Sequence, residues 1–210
     1  MTTSLIDKVR VTTVLILVLV GFTTGFLINE NVKSIEIERT KNIVSNIAAL
    51  RAEQNLDESL FTSPNYERDS FVWKSFFDKN LKTSELIRIK VWDNNAVVIY
   101  SDNPEIVGKQ FPDNKEFQEA IEGEVVAEIK TPLGEENIGE ISYRQLMEIY
   151  TPIVFVDGQK PSGVIELYYS MDNINNSLYS LNILIWLIIA AGVLVSVLST
   201  YILLKQILKP

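Results

Sequence analysis

The 210 residues contain no cysteine and no histidine. The first absence excludes structural disulfides, thiolate catalysis and cysteine-ligated metals. The second excludes a histidine-centred triad, an imidazole general base and a histidine-ligated metal. No glycine-rich phosphate loop and no nucleophile elbow is present either. Carboxylate chemistry and oxygen-ligated metals remain open, and no cofactor is expected. Glycine and proline are missing from Glu30 to Leu60, and charge is missing from two long runs, Val11–Asn29 and Ser177–Leu204.

Those two runs hold much of the apolar content, which is 47% of the chain. At about 1.5 Å per residue, Val11–Asn29 nearly spans a hydrocarbon core of about 30 Å. It is longer than the apolar core of a signal peptide, and no small-residue cleavage site follows it, so an uncleaved anchor is expected. Within the second run, Ile183–Leu204 is strongly apolar. Trp186 and Tyr201 stand near its two ends, where amphipathic rings settle at membrane interfaces. Gly21 and Gly25 form a G-x-x-x-G in the first run, and Gly192 and Ser196 repeat that spacing in the second. Small residues so spaced let helix backbones approach closely, within one chain or between two.

Net charge is −8, unevenly spread. The tails hold Lys8, Arg10, Lys205 and Lys209 against Asp7, whereas the segment between the runs carries 15 basic and 26 acidic residues. Lysine and arginine near membrane ends stay on the cytoplasmic side. Both termini are therefore expected inside and the middle domain outside. An acidic exterior also excludes nucleic acid, whose binding needs clustered cations. The expected organisation is a tail over 1–10, a span over 11–29, an outer domain over 30–181, a second span over 182–204 and a cytoplasmic start over 205–210.

Residues 30–60 read as a stalk helix continuing out of the membrane. Ile43, Ile47 and Leu50 lie at helical spacing, a stripe suited to packing on its own domain or to pairing with a second copy. Residues 61–70 read as a loop, with Asp69 or Ser70 capping a helix over 71–79. Ile87, Ile89 and Val91 alternate with Arg88, Lys90 and Trp92, the period of a strand. Asp93-Asn94-Asn95 supplies a turn that tolerates left-handed angles, and residues 96–100 return as a second strand. A helix over 114–122 is capped by Asp113 or Asn114 and closed by Gly123. Strands follow over 124–130, 143–154 and 162–170, with a loop over 131–140 and a turn over 156–161. Residues 172–182 read as a helical lead into the second span.

The strand–turn–strand with its Tyr100-Ser101-Asp102 ending and the following Pro104-Glu105-Ile106-Val107-Gly108-Lys109 resembles the Cache group of extracytoplasmic sensor domains, over roughly residues 30 to 180. The resemblance implies an α+β, PAS-like fold: a long N-terminal helix on one face of a five-stranded antiparallel sheet and a pocket on the other. Lys205-Gln206-Ile207-Leu208-Lys209-Pro210 resembles the start of a HAMP signalling linker, with Pro210 at the output point. The protein is then expected to continue beyond it. Together these imply a homodimeric transmembrane receptor whose output domain is a sensor histidine kinase. A chemotaxis receptor shares the architecture, and a membrane-tethered assembly module with a partner-binding domain is the rival from another class. No catalysis is expected of this chain itself.

Arg88 and Lys90 share one face of the first strand. Turned toward a pocket, they suit a small anionic ligand, with Tyr100, Tyr150 and Tyr168 supplying hydroxyls and apolar walls. An ion-pair ladder with Glu148 or Glu166 on neighbouring strands is the competing reading of the same two cations. Glu135, Glu136, Glu140 and Asp113 lack a regular ligand spacing and read as a solvated acidic surface, not a metal site.

Overall fold

The computed structural model describes residues 5–131, 145–156 and 159–207. The elements are α1 (Leu5–Asn55), α2 (Ser59–Thr62), α3 (Tyr66–Phe76) continued by a π-helical turn Phe77–Leu81, β1 (Leu86–Asp93), β2 (Val98–Tyr100), a 3-10 turn Pro104–Ile106, α4 (Lys115–Ile121), β3 (Val126–Lys130), β4 (Leu146–Ile153), β5 (Gly163–Ser170) and α5 (Asp172–Ile207). They form two compact units, one from the described parts of 1–36 and 174–210, the other from 37–173.

In the first unit, α1 and α5 each contain a stretch long and apolar enough to cross a membrane. Their apolar side chains are largely exposed, as lipid-facing positions would be. The G-x-x-x-G meets the other helix of the same chain: a Cβ on Gly21 would stand 2.6 Å from Ile189 Cγ2, and one on Gly25 3.0 Å from Ile189 Cδ1. Trp186 lies over the same contact, its ring 5.5 Å from Phe22. Ser196 lines a small cavity with Thr13, Val14 and Leu17, but a Cβ on Gly192 would meet nothing within 4 Å. Pro210 lies outside the described residues.

The second unit is built on a five-stranded antiparallel sheet in the order β2-β1-β5-β4-β3. This is the α+β architecture expected, a long N-terminal helix with a five-stranded antiparallel sheet. Ile89, Val91, Ile149, Ile165 and Leu167 are buried on one sheet face. Phe61 packs there, close enough that a Cβ on Gly163 would stand 2.4 Å from its ring. Trp73 of α3 meets Phe61 edge-on at 5.1 Å. The other face carries Trp92, Val98, Tyr150 and Val164, covered at one end by Phe117 and Ala120 of α4.

Several local expectations are corrected. The stalk helix ends at Asn55, not residue 60. Its Ile43, Ile47 and Leu50 are 49%, 48% and 53% exposed, and the face turned inward carries Ser45, Ala48 and Ala52. The stripe therefore does not pack on its own domain. The stretch 61–70 is largely helical: α3 starts at Tyr66 with Asn65 as its cap. The Asn65 side chain accepts from Arg68 N, and the buried Asp69 carboxylate reaches back to accept from Asn65 N at 2.7 Å. This reciprocal closure satisfies two orphan donors and outweighs the turn-like composition. In the hairpin, the left-handed residue is Ala96, at φ 61°, not the Asp-Asn-Asn triplet. The Asp93 carboxylate accepts from both Asn95 N and Val97 N at 2.8 Å, which holds a longer turn and delays β2 to Val98. Gly123 does close α4, at φ +107°. The start of the expected 143–154 strand and most of the 131–140 loop lie outside the described residues, as do Glu135, Glu136 and Glu140.

Candidate functional site

The polar sheet face is ordered by strand register. Arg88, Tyr168, Glu148 and Glu128 sit side by side across β1, β5, β4 and β3. One rung along, Lys90, Glu166, Tyr150 and Val126 do the same. The cause is local: β4 contains Glu148-Ile149-Tyr150 and β5 contains Glu166-Leu167-Tyr168. Antiparallel pairing sets each glutamate opposite the other strand's tyrosine. The intervening Ile149 and Leu167 point to the buried face, because successive side chains alternate.

A cavity of about 550 Å3 opens on this face. Its floor is Arg88, Lys90, Trp92, Lys130, Glu148, Tyr150, Glu166 and Tyr168, and its wall is the segment Gln110–Asn114. That segment is fastened to the β1–β2 turn by Phe111 N donating to Ala96 O at 2.9 Å and Gln110 Nε2 donating to Asn95 O at 2.8 Å. Asn114 joins wall to floor. Its Oδ1 caps α4 by accepting from Phe117 N, and its Nδ2 donates to the Tyr150 hydroxyl at 3.3 Å.

Lys90 is already engaged. Its Nζ donates to both Glu166 oxygens at 3.1 and 3.0 Å and to the Tyr168 hydroxyl at 2.5 Å. Trp92 Nε1 also donates to Glu166, which is only 1% exposed. Arg88 pairs with Asp102 and stacks over Tyr168, 4.8 Å from the ring centre. Lys130 bridges Glu148 and Glu128 at 2.9 and 3.1 Å. Lys90 thus pairs with Glu166 as the ladder reading expects, while Arg88 pairs with Asp102 and Glu148 with Lys130, and these ion pairs lie in the floor of the cavity and at its margin. The two readings of Arg88 and Lys90 describe one place.

Burial sets the electrostatics. Desolvation, then the charge of Glu166, pushes the Glu148 carboxyl up to about 6, against the pull of Lys130 and Lys90. Burial opposes the charge of Lys130, but its hydrogen bonds to Glu148 and Glu128 outweigh this and raise its pKa. The Tyr150 and Tyr168 hydroxyls are held neutral, above the ordinary tyrosine range, first by burial and then by the glutamates.

Of the expected site residues, Arg88, Lys90, Tyr150 and Tyr168 meet in the cavity. Tyr100 is not among the described residues lining it. A bulge between Val91 and Trp92 pairs Tyr100 with Val91, a residue of the aliphatic face, while Val98 pairs with Trp92. An extra residue in one strand reverses the side on which the next side chain points. The Tyr100 ring stands 6.4 Å from Trp73 instead. Lys130, Asn114, Trp92 and Phe111 were not anticipated. Glu148 and Glu166 were anticipated only as ion-pair partners, although the repeated Glu-x-Tyr marks them. Among the described residues, no group of carboxylates suits a metal ion.

No protein-family model matches the chain, and no curated protein matches it. Among solved structures, the Escherichia coli DcuS sensor domain is similar at 16% identity and a TM-score of 0.40, over 67% of this chain and 98% of that one. A domain of a putative sensory box/GGDEF family protein from Vibrio parahaemolyticus is similar at 14% identity and a TM-score of 0.42, over 74% of this chain and 62% of that one. At such identities and TM-scores, neither assigns a function to this chain.

Proposed function

We propose that the chain is the sensing and membrane-spanning part of a receptor. An outer domain binds a small anionic ligand in the cavity over β1, β4 and β5, and two spans carry the response to a cytoplasmic output domain beyond residue 210. A sensor histidine kinase is the favoured output. The observation that carries the reading is the path out of the cavity. Strand β5 supplies Glu166 and Tyr168 to the floor, and only Met171 separates it from α5, which is continuous to Ile207. The joint is tied: Ser170 N donates to Glu85 O at 2.7 Å, Met171 N to Gln145 O at 3.2 Å, and Asn173 Nδ2 to the Glu85 carboxylate at 2.6 Å. A ligand that favours one setting of β5 therefore biases the start of α5, and a shift of about 1–2 Å in the second span suffices for signalling.

The test is a thermal-melt screen of the full chain in detergent against small carboxylic, sulfonic and phosphoric acids. A ligand at about 100 times its dissociation constant stabilises the folded state by about 2.7 kcal/mol. The stabilisation is expected to vanish when Arg88 and Lys90 are both replaced by alanine. A shift that stays unchanged in that variant, and also when Lys130 of the same cavity is replaced, places binding elsewhere and removes the cavity from the mechanism.

A further inference from the structure

Among the described residues, the cavity is lined by three cations, Arg88, Lys90 and Lys130, and three carboxylates, Asp113, Glu148 and Glu166. Two further carboxylates sit on those cations from its margin, Asp102 on Arg88 and Glu128 on Lys130. The cations are therefore neutralised before any ligand arrives. An entering anion adds a negative charge to a buried surface with no spare positive one, which is unfavourable unless a partner carboxylate gives up its own charge. Building on the reading of the cavity as an anion site, we propose that the ligand enters together with a proton, which goes to the Glu148 carboxylate, so that Lys130 passes from Glu148 to the ligand.

The geometry selects Glu148. Glu166 accepts three hydrogen bonds, two from Lys90 and one from Trp92, and its ion pair closes within the floor. Asp113 lies on the exposed wall, where water supports its charge. Glu148 is buried, at 6% exposure, and its ion pair is to Lys130, whose side chain is 42% exposed and able to turn toward a ligand. The charged and titratable groups around it are Glu166 and Tyr168 on β5, Glu128 and Lys130 on β3, Tyr150 on its own strand, and Arg88 and Lys90 on β1. Glu166 is its diagonal neighbour across β4 and β5, and like charges so placed favour protonation of one of them. Burial and that neighbour lift the Glu148 carboxyl to about 6, so it is the group that takes a proton near neutrality. Once protonated, it becomes a hydroxyl donor and releases Lys130.

The sign follows from linkage. A bound anion raises the Glu148 pKa further, so affinity rises as pH falls. Between the free value of about 6 and the higher value in the complex, affinity changes about tenfold per pH unit. The experiment is calorimetric titration of the full chain in nanodiscs with sulfate and methanesulfonate, whose charges are constant from about pH 5 to about pH 8. Buffers of different ionisation heat give the proton count.

Uptake of close to one proton, with affinity rising toward acid, is expected. Glu148→Gln, which resembles the protonated form, should bind with affinity independent of pH and take up no proton. If that variant fails to fold, a carbon-13 titration of the wild-type glutamate carboxyls assigns the proton instead. Anion binding without proton uptake, uptake that persists in Glu148→Gln, or affinity rising toward alkali would overturn the proton coupling while leaving the cavity as a site. Absence of anion binding at every pH overturns the anion-site reading, and this proposal with it.

Discussion

Glu166 is the residue on which the cavity floor closes. It accepts both bonds from Lys90 and the indole N–H of Trp92, and with 1% exposure it has no access to water. Removing one partner of a buried pair costs more than the pair contributes, because the partner left behind stays buried and charged. Glu166→Ala should therefore destabilise the chain by about 3–5 kcal/mol. Glu166→Gln, which keeps an acceptor for Trp92 but loses the ion pair, should cost about 1–3 kcal/mol. Thermal melts of the two variants in detergent check the order, and equal losses would show that the lost charge, which both variants share, decides rather than packing. The alternation of Arg88 and Lys90 with aliphatic residues was enough to place those cations on one sheet face. Their partners were less legible, because which glutamate lies opposite which cation depends on register between strands distant in the chain.

At the scale of elements, the sequence pattern served well where one face of an element is clearly apolar and poorly where a single residue resets the geometry. The strands and α4 follow from alternation and capping, and they sit within a few residues of expectation. Tyr100 is misplaced by one bulged residue that periodicity does not reveal. Helix α3 begins early because Asp69 reaches back to its cap, a bond that composition hides. On α1, the inward face is small rather than greasy: Ser45, Ala48 and Ala52 are buried, and the aliphatic stripe is left outside. Ile43, Ile47 and Leu50 then have the spacing of a two-helix seam. We expect the full chain to dimerise along this stripe. A glutamate at a seam position buries an unpaired charge, so Ile47→Glu should raise the dimer dissociation constant by about a hundredfold. Mass photometry in nanodiscs reads this directly, and an unchanged dimer would exclude the stripe as the interface.

At the scale of the whole molecule, the four tail cations argue for both termini inside and the sheet domain outside. The absence of native cysteine makes this simple to test. A single cysteine at Glu124→Cys should react with a membrane-impermeant maleimide in intact cells, and one at Lys8→Cys only after the membrane is opened. The reverse pattern would place the sheet domain inside and the termini outside. The long uncharged runs, the acid-rich middle and the order of helices and strands are properties of the chain read along its length. Hydrophobic length and alternation act locally, so the sequence by itself determined the two long apolar helices, the α+β class and the side of β1 that carries cations. Register, bulges and the pairing of charges are contacts between distant segments. Only the tertiary structure decided that the ion pairs and the cavity are one place, that Tyr100 is outside it, that the G-x-x-x-G of the first span meets Ile189 of the same chain, and that the aliphatic stripe of α1 is left uncovered.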